Sequence, residues 1–377
     1  MAKRFRDAVG ALEHMLSTIE REPGRTVVRV YPDYEGMRTG EELERFERVM
    51  TAAGKAGAVH IALERRPSGP ASIRSVALAD ATKLAAHLGR VPATDEAARA
   101  IDVLRRLTGP LPAWVGEIVD EIAAAWAIRR EGYPGLEPGD VATAAGFIRL
   151  LCAVDRGEHV GVDMRTFSRR ACGDSKAAEL GLPRLARALR KRFDLPDAPP
   201  REALAAFGIE KFPQPVLLRG SLTLSGDTRL DGRPYVGVPP EWLDTLVIVG
   251  RPGYFLVIEN LASFNRYVRE VDDGGIILYS GGFPALATLK AIRRMDALLP
   301  ADVPFFHWGD VDADGVRILQ YIARSISRPL RPHLMGVDAW SDTAVSELCS
   351  QLGEPAFLPM EQEQLDPESP LAITSAS

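Results

Sequence analysis

Cysteine is scarce in this chain. The three present, Cys152, Cys172 and Cys349, lie far apart and are odd in number. That excludes a disulfide framework or a zinc cage and is read as buried thiols in a reducing compartment. Long apolar runs are missing too, and none approaches the length needed to cross a bilayer. The basic N-terminal residues Lys3, Arg4 and Arg6 precede no apolar signal core. The expectation is a cytoplasmic protein with no membrane partner. Charge of one sign is also lacking: the net charge is −5 over 377 residues, so any contact with nucleic acid must rest on local charge. No internal repeat is apparent. A hydrophobic content of 46% and a charged content of 26% are ordinary for a globular protein, and the length allows two or three domains.

The most informative stretch runs from Phe305 to Gly315. An apolar segment, Phe305-Phe306-His307-Trp308, ends in Asp310, Asp312 and Asp314, spaced two apart, and Gly315 opens a helical pattern. In extended chain, residues two apart share a side, so the acids are expected to form one cluster at a strand end. Like charges that close repel unless a cation neutralises them, and oxygen ligands suit Mg²⁺ or Mn²⁺. A calcium loop of the EF-hand kind needs a bidentate Glu at its twelfth position; counted from Asp310, that position is Tyr321. A D-x-D-x-T phosphatase needs Thr or Val where Asp314 stands. A solvated acidic turn that caps a helix is the plain alternative.

A second carboxylate weighs against that plain reading. Tyr254 to Ile258 is another apolar run, and it ends in Glu259. Between the two runs lie Ile276-Ile277-Leu278-Tyr279, then Ser280-Gly281-Gly282, then a helical stretch from Pro284 to Leu299. Helical residues 316–322 and a strand-like segment from Leu330 to Met335 follow. Strands alternating with helices argue a parallel sheet covered on both faces, with ligands at the carboxyl ends of its strands. The expectation is Glu259 facing the aspartates across neighbouring strand tips. His307 and Trp308 are expected to be packing residues.

That arrangement resembles the Toprim domain of topoisomerases, primases and related nucleases. The resemblance implies Glu259 as the acid/base residue, Asp310 and Asp312 as the metal-binding pair, and Asp314 as a further ligand candidate. Divalent metals there neutralise charge on a phosphodiester and stabilise the attacking and leaving oxygens.

Upstream, residues 41–57 are helix-like. Val59 to Leu63, a turn at residues 65–70 and Ser72 to Leu78 suggest strand, turn, strand, and Asp80 is placed to cap a further helix. This is either a winged-helix-like unit or an α+β arm used for dimer contacts. Gly109-Pro110-Leu111-Pro112 is a candidate hinge. Residues 139–154 form an apolar helical stretch. Next come residues 163–170, a turn at Gly173-Asp174-Ser175, and a long helical pattern to Phe193, together similar to a helix-turn-helix. From Asp163 to Asp194, nine Lys and Arg stand against four acids, a local balance of +5. Arg165, Arg169, Arg170, Lys176, Arg184 and Arg187 are the candidate DNA-backbone contacts; a solvated basic face is the alternative.

A basic helix-turn-helix followed by a Toprim block resembles the A subunit of topoisomerase VI. More closely, the chain is similar to the JetD nuclease family of Wadjet plasmid-defence systems. The segments that carry this are residues 165–176, 208–220 and 309–315, with Met360-Glu361-Gln362-Glu363-Gln364 resembling that family's terminal signature. The implied fold is α/β: an arm (1–109), a winged-helix, CAP-like DNA-binding domain (110–240) and a Toprim catalytic domain (241–377). The implied function is a Mg²⁺- or Mn²⁺-dependent endonuclease. It would act as a homodimer on double-stranded plasmid DNA with a condensin-like SMC complex. One departure is informative. The topoisomerase relatives carry a nucleophilic Tyr in the helix-turn-helix block, whereas this chain offers Phe167 and has no Tyr between Tyr133 and Tyr235. Water is therefore the expected nucleophile. The rival functions are a non-catalytic DNA-binding or assembly subunit and a transesterase like topoisomerase VI.

Overall fold

The computed structural model describes residues 3–64, 71–225, 228–230, 233–335 and 361–371. It divides into two compact units, residues 1–152 and 153–377. Two features bear on the boundaries expected from sequence near residues 109 and 240. Gly109 to Pro112 is a turn between helices Ala93–Thr108 and Ala113–Ala127, which an ion pair from Arg105 to Asp120 at 2.9 Å ties together inside the first unit. Strands Val216–Arg219 and Val236–Val238 lie before residue 240 yet pair into the sheet of the C-terminal block.

The first unit holds a four-stranded sheet in the order Arg4–Phe5, Arg29–Pro32, Ser72–Leu78, Val59–Glu64. Capping chemistry sets its helices. Asp7 accepts from the Val9 and Gly10 amides at the start of Ala8–Arg21. Thr39 does the same for Gly40–Lys55, and Asp80 for Ala81–His87, each satisfying an amide that the first turn leaves unpaired. Leu12, Met15, Phe46, Met50, Val30 and Val76 form the core. The expected turn at residues 65–70 and Cys349 lie outside the described residues.

The second unit opens with helix Met164–Cys172, capped by Asp163 and ended by Gly173 in the left-handed region at φ 83°. The long helix expected after it is interrupted: Ala177–Leu180 stops at Gly181, and Leu182–Leu189 begins anew. Pro183 is the cause, since it lacks the N–H that a continuous helix would need there and fits only a first turn. Helix Pro200–Ala206 follows.

Six strands then form one sheet. From one edge they are Leu330–Pro332, Phe305–Trp308, Phe255–Ile258, Ile276–Tyr279, Val216–Arg219 and Val236–Val238. The first four run parallel, and the last two are antiparallel additions. Phe255–Ile258 is buried at every position because both faces of the sheet are covered. Phe255, Val257 and Phe305 pack with Ile292 and Met295 of helix Leu286–Leu298 and with Ile318 and Ile322 of helix Ala313–Ala323. Leu256, Ile258 and Trp308 pack against Phe264 and Tyr267 of helix Leu261–Glu270. The chain leaves the Phe255 strand toward the Ile276 strand on one side, then crosses back to the Phe305 strand on the other. Such a reversal opens a crevice beyond the carboxyl ends of the strands. Among the described residues no helix is long and apolar enough to cross a membrane.

Phe305 is fully buried, stacks 4.7 Å from Phe255 and lies under the Arg328 guanidinium at 4.4 Å. Phe305→Ala is expected to destabilise the second unit by about 3–5 kcal/mol, read as a lowered denaturant midpoint. A loss under about 1 kcal/mol would contradict this packing.

Candidate functional site

Strand register builds the site. Ile258 stands opposite Trp308 on one side and Tyr279 on the other, so Glu259, Gly309 and Ser280 emerge at one level. The Glu259 amide bonds to the Trp308 carbonyl at 2.9 Å, and the Ser280 amide to the Ile258 carbonyl at 2.9 Å. The Asp310 amide donates to the Glu259 carboxyl. Glu259 and Asp310 thus sit side by side in a cavity of about 650 Å³, with Asn260, Tyr279, Gly281, Gly282 and Glu363 on its walls.

Burial first, then the neighbouring Asp310 and Asp312 charges, push the Glu259 carboxyl up from 4.5 to about 8. Its Oε2 is buried and has no hydrogen-bond partner. Burial also raises Asp310, partly offset by the Gln362 amide, which donates to its Oδ1 at 2.7 Å. Burial and the Glu259 charge raise the Tyr279 hydroxyl, which keeps it a neutral donor among carboxylates.

Asp312 and Asp314 take up helix-start positions rather than strand-like ones, and their charges still act on Glu259. Extended geometry ends at the strand, and helix Ala313–Ala323 begins at once, turning each later side chain by roughly 100° per residue. Asp312 becomes the helix cap, accepting from the Gly315 amide at 2.7 Å. Asp314 is exposed and pairs with Arg317 at 3.0 Å. Gly315 is required here, because a Cβ would run into the Asp310 carbonyl. Among the described residues, the acids whose oxygens come within 4.8 Å of one another are Asp310, Glu361 and Glu363.

Glu361 and Glu363 are the candidate ligands that strand-tip reasoning misses. Gln362, 1% exposed, delivers both. Its side chain donates to the Trp308 carbonyl at 3.0 Å and accepts from the Asn260 amide at 3.0 Å, so it bridges the two strand tips. Asn260 also holds Glu363 at 2.5 Å, and Arg266 binds the Leu365 carbonyl and Asp366. The sequence signal was the polar Glu-Gln-Glu run itself, but nothing local says where it docks. Glu202, from helix Pro200–Ala206, is a second omission: burial and then the Asp314 charge raise its carboxyl, and it accepts from the Phe283 amide.

The basic residues lie apart from this cavity. Arg165, Arg169 and Arg170 are exposed on helix Met164–Cys172, Lys176 is exposed at the following turn, and Arg184 and Arg187 lie on helix Leu182–Leu189. Arg165 stands 3.6 Å from Glu179. Arg190 donates to the Pro196 and Ala198 carbonyls and so serves the local chain path. Phe167 is buried against His159.

An all-oxygen set of carboxylates with an orphaned buried oxygen fits a hard divalent cation. Comparison with known proteins adds a likeness: residues 217–366 match the family model described as Wadjet protein JetD, C-terminal. The Wadjet protein JetD of Bacillus cereus (strain Q1) is 26% identical over 262 residues, which cover 66% of this chain and 62% of that protein. The match thus spans less than two thirds of that JetD. The JetD-like region contains Glu259, Asp310, Asp312, Asp314, Glu361 and Glu363, whereas Glu202 and the basic helices precede it.

Two predictions follow from this geometry. The folded chain keeps a proton on Glu259 that the unfolded chain releases above about pH 4.5, so stability falls as pH rises toward about 8. This one group contributes at most about 1.4 kcal/mol per pH unit. Without divalent cations, Glu259→Gln should gain in Tm relative to the parent between pH 5 and pH 8; a pH-independent difference would contradict the buried proton. Gln362→Ala should release the Glu361–Glu363 segment and weaken Mn²⁺ binding about 10–100-fold by calorimetry, and unchanged binding would remove those acids from the site.

Proposed function

We propose that this protein is a metal-dependent DNA endonuclease of the Toprim type, serving a Wadjet anti-plasmid system. The observation that carries the reading is the set of carboxylates gathered at the switch point of a parallel sheet, with Glu259 buried and one of its oxygens unpartnered. The similarity to JetD supports the defence role. Asp310, Glu361 and Glu363 would hold Mg²⁺ or Mn²⁺, with Glu259 beside them. When bound, the cation supplies charge neutralisation on the phosphate and lowers the pKa of a bound water.

The remaining work falls to the chain. A carboxyl with a pKa near 8 exchanges protons readily at neutral pH, so Glu259 shuttles the proton of the attacking water or leaving group. Tyr279 donates its hydroxyl to a non-bridging phosphate oxygen. Asn260 keeps Glu363 aimed at the site. Arg165, Arg169, Arg170, Lys176, Arg184 and Arg187 neutralise backbone phosphates without reading sequence. Phe167 offers no hydroxyl for attack, so hydrolysis replaces a protein-linked break. Two protomers would provide one such site per DNA strand, and a condensin-like SMC complex would present the plasmid.

The test uses supercoiled plasmid with Mg²⁺ or Mn²⁺, with the SMC partners added. Asp310→Ala should lower nicking by at least about 100-fold while DNA retention persists. The broken ends should carry no covalently attached protein. Equal nicking by Asp310→Ala would overturn the assignment, and a protein–DNA adduct would point to transesterification instead.

A further inference from the structure

His307 is a further buried polar group beside this site, and neither the fold nor the proposed chemistry accounts for it. It lies inside the Phe305–Trp308 strand with no exposed surface, and neither ring nitrogen has a hydrogen-bond partner. Such orphaned groups are rare in folded proteins and ask for a reason. Alternation along the two strands puts His307 and Glu259 on the same face of the sheet, since Val257 pairs with His307 and Glu259 lies two residues beyond.

Gly309 shows how near they come. A Cβ added there would lie 2.6 Å from Glu259 Oε2 and 2.8 Å from His307 Nε2. Two unpartnered buried atoms therefore crowd one point above the bare Gly309 backbone. Oε2 belongs to a carboxyl that donates while it is protonated and accepts once ionised, and Nε2 belongs to a ring that burial holds neutral, which can do either. A rotation of the Glu259 carboxylate about its last bond is the movement that would join them.

We propose that His307 is a positioning residue for Glu259: its Nε2 pairs with Oε2 through a hydrogen bond and leaves the other carboxyl oxygen facing the cavity. Partners of this kind fix the orientation of metal-binding side chains. Gly309 is then the gap that lets the pair meet. The inference takes the cation role of Glu259 from the proposed function, but the hydrogen bond itself does not depend on that role.

Histidine ring nuclear magnetic resonance on the full chain tests the bond without any metal. The expected result is His307 ring signals that move in Glu259→Ala. Signals indifferent to Glu259→Ala would overturn the proposal. Calorimetry with Mn²⁺ then tests the consequence. His307→Leu should weaken binding at least tenfold, while His307→Gln, which retains an N–H donor, should stay within about threefold of the parent. Equal losses in both variants would reduce His307 to a packing residue. Failure of the parent to bind Mn²⁺ would count against the metal reading, while the ring signals would still decide the hydrogen bond.

Discussion

Mutual repulsion among acids at adjacent strand tips is the constraint around which the second unit is arranged. Parallel register forces Glu259 and Asp310 to emerge side by side, and the buried sheet beneath them leaves no room to slip. Each acid receives a different remedy. Glu259 keeps its proton. Asp310 takes an amide from Gln362, and Asp312 takes one from Gly315. Asp314 pairs with Arg317, and Glu363 is held by Asn260. These remedies are partial, and they leave a set of oxygens that a hard cation satisfies better than any neighbouring side chain does.

Rigid and adaptable parts are divided cleanly. The strands and their covering helices form apolar layers, with Phe255, Phe305 and Trp308 wholly buried. Such packing holds the strand tips to a fraction of an ångström. The polar segment that completes the site docks through hydrogen bonds at Asn260, Trp308 and Arg266, an Arg266–Asp366 ion pair and Leu365 packed on the apolar layer. A site that must accept a charged ligand gains from this split, because the acids contributed late by the chain adjust while Glu259 and Asp310 stay fixed.

The sequence was most legible where one local rule governs. Continuous apolar runs identified the buried parallel strands, Asp80 caps the helix expected after it, and the turn read at Gly173 ends helix Met164–Cys172. It was least legible where two rules compete. Spacing of two suggested that Asp310, Asp312 and Asp314 share a side, but a helix begins within that interval, so Asp312 caps it and Asp314 pairs with Arg317. The helical pattern ran on to Phe193, but Pro183 divides it. Contacts distant along the chain left no local trace: Gln362 meets Asp310 and Asn260 across long sequence separations, so the placement of Glu361 and Glu363 belongs to tertiary structure alone.

The bridging role of Gln362 also bears on how the molecule is made. Translation delivers Glu259 first, the aspartates next and the glutamates last. A nascent chain that has emerged only through the Phe305 strand can fold much of its sheet yet holds an incomplete oxygen cage. The cluster of oxygens is thus completed only once residues 361–363 have emerged and docked on tips that are already in place.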